Sequence, residues 1–247
     1  MRGGDLRLPP PAGVMIDRSR PVTFSFAGRP YEGFAGDTIA SALAAHGVRV
    51  LSRSFKYHRP RGILTMAGQD ANTLVQIGPE PNVLADRTPI SDGLTVSPQN
   101  VSGSLERDRG AVMGWFGHFM PAGFYYRAFY RPRGIWQRLW EPIVRRSAGL
   151  GRVDIGAPHG YFDKAYGFCD VAVIGGGPAG LSAALAAAQS GAEVLLVEEF
   201  PVLGGALNYA RFDVAGAQAA ARSGKLIAAV EAAANITVIT GEVCNGW

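Results

Sequence analysis

The sequence predicts two units of mixed class, an α+β unit in the first hundred residues and an α/β unit from residue 168 onward. Three observations carry that expectation. "RPVTFSFAGRPYEGFAG" alternates apolar and polar positions around Ala27-Gly28 and is followed by a helical run. "DVAVIGGGPAGLSAALAAAQSGAEVLLVEE" (170–199) has no charge from Val171 to Ala192, and glycines cluster near its start. The charge also divides: residues 1–167 carry 21 Lys and Arg against 13 Asp and Glu, whereas 168–247 carry 3 against 7. A basic part joined to an acidic part suggests two units, one facing an acidic partner.

Composition sets the outer bounds. A chain of 247 residues, 47% hydrophobic and 18% charged, suits globular material of one to two domains. Only three of its 24 basic residues are Lys, and the excess of Arg favours fixed ion pairs and interfaces. No nucleic-acid motif accompanies the basic half, so no nucleic-acid partner is expected. Cys169 and Cys244 show neither metal-ligand spacing nor a disulfide framework. "MRGGDLRLPPPAGV" lacks the apolar run of a secretion signal, so a reducing cytoplasm is the expectation.

The elements of the first unit follow in order. Alternation on either side of Ala27-Gly28 predicts a hairpin. "GDTIASALAAHGV" predicts a helix with Asp37 or Thr38 as N-cap and Gly47 as its stop. Hairpin, helix and further strand are the order of a β-grasp, ferredoxin-like domain, assigned to residues 16–100. "FKYHRPRGILTMAGQDANTLVQI" resembles the stretch that leads into the cysteine loop in ferredoxin-like domains attached to amine-oxidising flavoproteins, and plant-type C-x4-C-x2-C spacing laid on that resemblance falls on Thr65, Asp70 and Thr73. None is a thiolate, so the expectation is a domain with no iron–sulfur cluster. His58, beside Lys56, Arg59 and Arg61, reads as a hydrogen-bonded structural residue or a seat for another subunit.

Residues 101–167 read as a connector rich in Arg and aromatics. Within it, 120–151 packs six Arg among seven aromatics, a composition suited to packing and to subunit interfaces.

The uncharged run is long enough for a membrane span, which needs about 20 apolar residues. Gly175, Gly176, Gly177, Pro178 and Gly180, with Ser182, Gln189 and Ser190, argue instead for strand, turn, helix and strand. No membrane partner is expected. Gly175-x-Gly177-x-x-Gly180 stands directly after the strand and opens the helix, as a dinucleotide fingerprint requires. The first glycine permits the tight turn, the second lets backbone approach a pyrophosphate, and the third lets the helix pack on the sheet. Glu198, 18 residues past Gly180, sits where a strand-end acid accepts from an adenosine ribose. An acid there favours NAD or FAD over a 2′-phosphorylated nucleotide. Gly204-Gly205 follows in "FPVLGGALNYA", like the second glycine pair of the two-dinucleotide flavoproteins. A second helix over 215–234 and a strand in "ITVITGEV" complete a βαβαβ unit, the first half of a Rossmann-like FAD/NAD-binding domain over 168–247. The chain therefore reads as a fragment, truncated within that domain.

Three stretches in order, "IDRSRPVTFSFAGRPYEGFAGDTIASALAAHGVRVLSRSFKYHRPRGI", "PAGFYYRAFYRPRGIW" and "CDVAVIGGGPAGLSAALAAAQSGAEVLLVEE", resemble the N-terminal part of the alpha subunits of heterotetrameric sarcosine oxidases. The resemblance implies a ferredoxin-like domain without a cluster and a dinucleotide domain that holds NAD, with FAD as the alternative. It places FAD and covalent FMN, and the oxidative demethylation of sarcosine, on a beta subunit and its interface with alpha, so no catalytic residue falls on this chain. Residue by residue, it carries cofactor contacts to Gly175, Gly177, Ala179, Gly180, Glu198, Glu199, Phe200, Gly205, Ala206 and Val243. Alpha subunits of related opine, proline or glycine dehydrogenases share the layout and form a second reading. A non-catalytic scaffold with a degenerate nucleotide site is a third.

Overall fold

The alternation between Val22 and Phe26 becomes the inner face of a strand. β1 (Asp17–Phe26) and β2 (Arg29–Ala35) form an antiparallel hairpin in which Phe24 faces Tyr31 and Phe26 faces Arg29. The two connecting residues, Ala27 and Gly28, have φ of +52° and +75°. Positive φ at both positions matches the right-handed twist of the strands; the glycine adopts it freely, whereas Ala27 is strained.

The computed structural model describes residues 5–9, 13, 15–119, 123, 129, 131–147, 151, 153–158, 160–208 and 216–246. Two compact units divide the chain, Met1–His159 and Gly160–Trp247.

In the first unit the hairpin leads into helix α1 (Ile39–Ala45). Thr38 is its N-cap: the hydroxyl accepts from Ser41 N at 3.2 Å, and Ser41 Oγ accepts from Thr38 N at 2.9 Å. Asp37 does something else. Buried beneath the helix start, it accepts from Phe34 N and Ser41 Oγ and pairs with Arg7 at 2.5 Å. Gly47, with φ of +75°, ends the helix.

Strands β3 (Ser52–Arg53) and β4 (Pro60–Arg61) make a small antiparallel pair. Next come β5 (Leu74–Ile77), β6 (Glu80–Leu84) and β7 (Thr95–Pro98). The main sheet runs β2-β1-β7-β5-β6, antiparallel except where β7 lies parallel to β1 through Ser25↔Thr95 and Phe26↔Val96. Phe24, Phe26, Ile39, Leu43, Leu51, Val75 and Val96 form one buried cluster between sheet and helix. Each such side chain contributes about 1.5–3 kcal/mol through burial.

Of the connector, residues 120–122, 124–128, 130, 148–150, 152 and 159 lie outside the described residues. A π-turn at Trp136–Trp140 runs into α2 (Glu141–Ser147), and Trp140 stacks on Phe129 at 4.1 Å. From Gly160 to Cys169 the chain has no secondary structure, and Tyr161, Phe162, Tyr166 and Phe168 are each more than 80% exposed.

The second unit is a parallel sheet with helices between its strands. β8 (Val171–Ile174), α3 (Pro178–Gln189), β9 (Val194–Glu198), α4 (Gly216–Ala232) and β10 (Ile236–Thr240) follow in that order. The strands lie β10-β9-β8, all parallel. Leu181, Leu196, Leu203 and Val230 are the buried centre. No helix among the described residues is long and apolar enough to cross a membrane.

Candidate functional site

The glycine turn is built by three different constraints. Gly175 takes φ of +99° and donates its N–H to Val197 O at 2.7 Å, so the chain stays tied to β9 while it leaves β8. Gly177 caps α3 in extended conformation, and a Cβ there meets nothing within 4 Å. Its backbone is therefore open to close approach. Gly180 is confined: a Cβ would stand 1.8 Å from Gly175 O. Pro178 opens the helix, whose ladder begins with Leu181 N donating to Gly177 O at 2.9 Å. The N–H groups of Ala179 and Gly180 precede that ladder, at the positive end of the helix dipole. Ala179 is exposed and Gly180 half-buried.

Glu198 closes β9 and is 5% exposed. Its carboxylate accepts from Gly176 N at 2.5 Å and from Phe200 N at 2.9 Å. It thus clasps the glycine turn to the turn after β9, which a reading of it as a ribose acceptor does not anticipate. A carboxylate offers about four lone-pair sites, so two bonds leave acceptor capacity unused. Glu199 and Phe200 follow, both half-buried.

A second glycine loop packs on the first. Gly204, at φ of +108°, donates its N–H to Gly176 O at 2.8 Å, and a Cβ on Gly205 would stand 2.9 Å from Gly177 Cα. Ala206 is exposed in the 3-10 turn Gly205–Asn208. Val243, 51% exposed, lies past the end of β10 in a stretch without secondary structure, just after Glu242, whose N–H donates to Glu198 O at 3.2 Å. The two glycine loops, the start of α3 and Glu198 therefore meet at the carboxyl ends of parallel strands, where ligands of open α/β sheets bind.

Sequence reasoning missed Gly176, a filler position in the fingerprint, whose N–H and C=O both hold the site together. Its Cβ would meet Leu203 Cδ2 at 2.4 Å and Glu198 Oε2 at 3.2 Å, so the middle glycine of the run leaves room for both side chains. Asn208 was also missed; its amide donates to Leu203 O at 2.7 Å and accepts from Ser223 Oγ at 3.4 Å. The signal for Gly176 lay in the unbroken Gly175–Gly177 run; for Asn208 there was none.

In the first unit, Asp70 organises the loop that carries Thr65 and Thr73. Leu64 N, Thr65 N, Asn72 N and Asn72 Nδ2 all donate to its carboxylate at 2.7–3.1 Å. Asp70 N donates to Asp86 Oδ2 at 3.1 Å, and Thr73 Oγ1 donates to Asp70 O and to Asp86 Oδ1. Burial opposes ionisation of Asp70, but the N–H donors of Asn72, Leu64 and Thr65 outweigh it and hold the carboxyl below its ordinary value. His58 pairs through Nδ1 with Asp108 Oδ2 at 2.7 Å, and its ring occupies the space a Cβ on Gly110 would need.

Comparison with known proteins follows this division. A family model described as a 2Fe-2S iron-sulfur cluster binding domain matches residues 19–101, and one described as FAD dependent oxidoreductase matches 170–215. The chain is 41% identical over 241 residues to the sarcosine oxidase subunit alpha of Rhizobium meliloti (strain 1021), covering 96% of this chain and 24% of that one. It is 28% identical over 239 residues to the subunit of the same name from Corynebacterium sp. (strain U-96), covering 94% and 18%. The chain thus spans a quarter or less of the length of these relatives and matches their N-terminal part. The L-proline dehydrogenase of P. horikoshii shares the fold, with a TM-score of 0.51 at 20% identity over 98% of this chain and 36% of that one.

The family matches correct the cofactor expectations. A 2Fe-2S iron-sulfur cluster binding domain over residues 19–101 overturns the expectation of a domain with no iron–sulfur cluster. That expectation rested on three positions of one spacing, whereas a domain's family is carried by its whole pattern of strands and core. The fit of the residues is a separate matter. Residues 19–101 contain no cysteine, and the carboxylate of Asp70 and the hydroxyl of Thr73 are engaged in the loop bonds above, so this segment offers no thiolate set of its own. The second match supports FAD, held above only as the alternative to NAD.

Proposed function

We propose that residues 168–247 cradle the adenosine diphosphate end of FAD, and that the chain is part of an alpha subunit of a flavin-dependent oxidoreductase of the sarcosine oxidase kind. The observation that carries this reading is the meeting of the Gly175–Gly180 turn, the start of α3 and the buried Glu198 at the carboxyl ends of parallel strands. The order β10-β9-β8 is that of the first half of a Rossmann-like domain, and the sheet of residues 16–100 supports a ferredoxin-like one, with 101–167 between them.

In this reading the N–H groups of Ala179 and Gly180 meet the pyrophosphate, and Gly177 permits its approach. Glu198 accepts from the ribose with its unused lone pairs while keeping its hold on Gly176. Glu199, Phe200, Gly205, Ala206 and Val243 border the adenosine. When bound, the flavin supplies acceptance of two electrons; the residues of this chain bind and orient its adenosine end. The relatives' name, sarcosine oxidase subunit alpha, supports oxidation of sarcosine by an assembly of several subunits; oxidative demethylation and a beta subunit as the docking partner are part of this proposal.

The test is equilibrium binding of FAD, with ADP as competitor. ADP should displace FAD, because the cradle grips the shared half. Glu198→Gln should weaken both by about tenfold, through the loss of charge-assisted bonds. Unchanged affinity in that variant, or no competition by ADP, overturns the reading. Nucleotide released by heat and identified by mass decides between FAD and NAD.

A further inference from the structure

The first unit contains a cavity of about 600 Å³, walled by the β1–β2 hairpin, the stretch after α1 and the loop after β7. Its walls combine Phe26, Tyr31, Val48 and Leu105 with three arginines, Arg29, Arg49 and Arg53, and one acid, Glu106. Glu106 pairs with Arg29 at 3.6 Å on the exposed rim and also attracts Arg53, so one acid answers two of the three cations. Arg49 is exposed and has no ion-pair partner among the described residues. Arg53 donates from Nη1 to His58 O at 3.1 Å and from Nη2 to Leu105 O, and its Nε is buried without an acceptor. Carbonyl dipoles hold that guanidinium in place but do not neutralise it, and its buried Nε–H is a donor without an acceptor among the described residues.

We propose that this cavity is a binding site for a small aromatic carboxylate. Its volume lies in the range of small-molecule sites, with mostly apolar walls and a few polar groups. The apolar side of the cavity fits a planar ring, beside Phe26 and Tyr31. Three arginines against one acid leave the walls net positive, with Arg49 outside any ion pair among the described residues, so they select an anion, and guanidinium favours the forked geometry of a carboxylate. A fully hydrated, multiply charged ion leaves the apolar wall unused, and a neutral ring leaves the arginines unanswered.

The probe is naphthoate, titrated by calorimetry into the 247-residue chain, beside neutral naphthalenemethanol and inorganic phosphate. One saturable site should appear, with naphthoate at least about tenfold tighter than either comparator. Arg49→Gln, at an exposed position that leaves the fold intact, should weaken naphthoate several-fold and leave the alcohol unchanged. Saturating ADP should not displace naphthoate, which separates this site from the cradle around Glu198. Arg53→Lys is a second variant: it keeps the charge but loses the fork, and should also weaken naphthoate. Absence of saturable binding, equal affinity for acid and alcohol, phosphate binding as tight as naphthoate, or indifference to Arg49→Gln overturns the proposal.

Discussion

Four N–H donors converge on the carboxylate of Asp70, filling the roughly four lone-pair sites it has. Replacing it by Asn keeps the shape but turns one oxygen into a donor that faces donors. Asp70→Asn should therefore cost about 1–3 kcal/mol of stability near neutral pH, read as a lower urea midpoint. The pH dependence follows from the depressed carboxyl. Its stabilisation is complete above the unfolded value of about 3.9 and is lost as pH falls through the lower folded value. Between pH 6 and pH 2 the wild type should lose more stability than Asp70→Asn. Equal losses would show that the loop does not depend on that charge. Thr65, Asp70 and Thr73 could be picked out in the sequence only as missing thiolates; the role of Asp70 was hidden because its donors depend on loop geometry.

The turns and helix ends were legible because their causes are local. Ala27-Gly28, the Thr38 cap and the Gly175–Gly180 run each act within a few residues. What the sequence concealed is reciprocal. Glu198 reaches Gly176 across 22 positions, and Gly204 bonds Gly176 from a different loop, so no single window contains the site. The tightest contact among these elements is at Gly180, where α3 crosses the end of β8. Gly180→Ala places a methyl 1.8 Å from Gly175 O, with backbone on both sides and little room to relax. A destabilisation at or above the usual 1–3 kcal/mol of overpacking is expected, about the upper end, with loss of FAD binding. Gly177→Ala is the control: its Cβ meets open space in the free protein, so stability should hold while nucleotide affinity falls. A thermal melt of each variant with and without FAD separates the two effects.

At the scale of the molecule, the stretch from Gly160 to Cys169 opens the second unit ahead of its first strand, with its aromatic side chains exposed to solvent. Chymotrypsin, which cuts after large aromatics, should cleave first at Tyr161, Phe162, Tyr166 or Phe168. Two fragments separated there should resist further digestion for longer than the intact chain survives. First cuts within β1 or β9 would contradict the division. The main sheet of the first unit has a different consequence, one of timing. β7 is its last strand in the chain yet sits in the middle, joining β1 to β5. Until residues 95–98 have left the ribosome, the hairpin and the β5–β6 pair have no shared neighbour, and each waits with an open edge. Closing that gap joins Ser25 to Thr95 over most of the domain's length, a step slowed by loop-closure entropy. The newborn chain therefore passes through an interval in which two half-sheets coexist, and a chaperone that binds open strand edges has its best opportunity then.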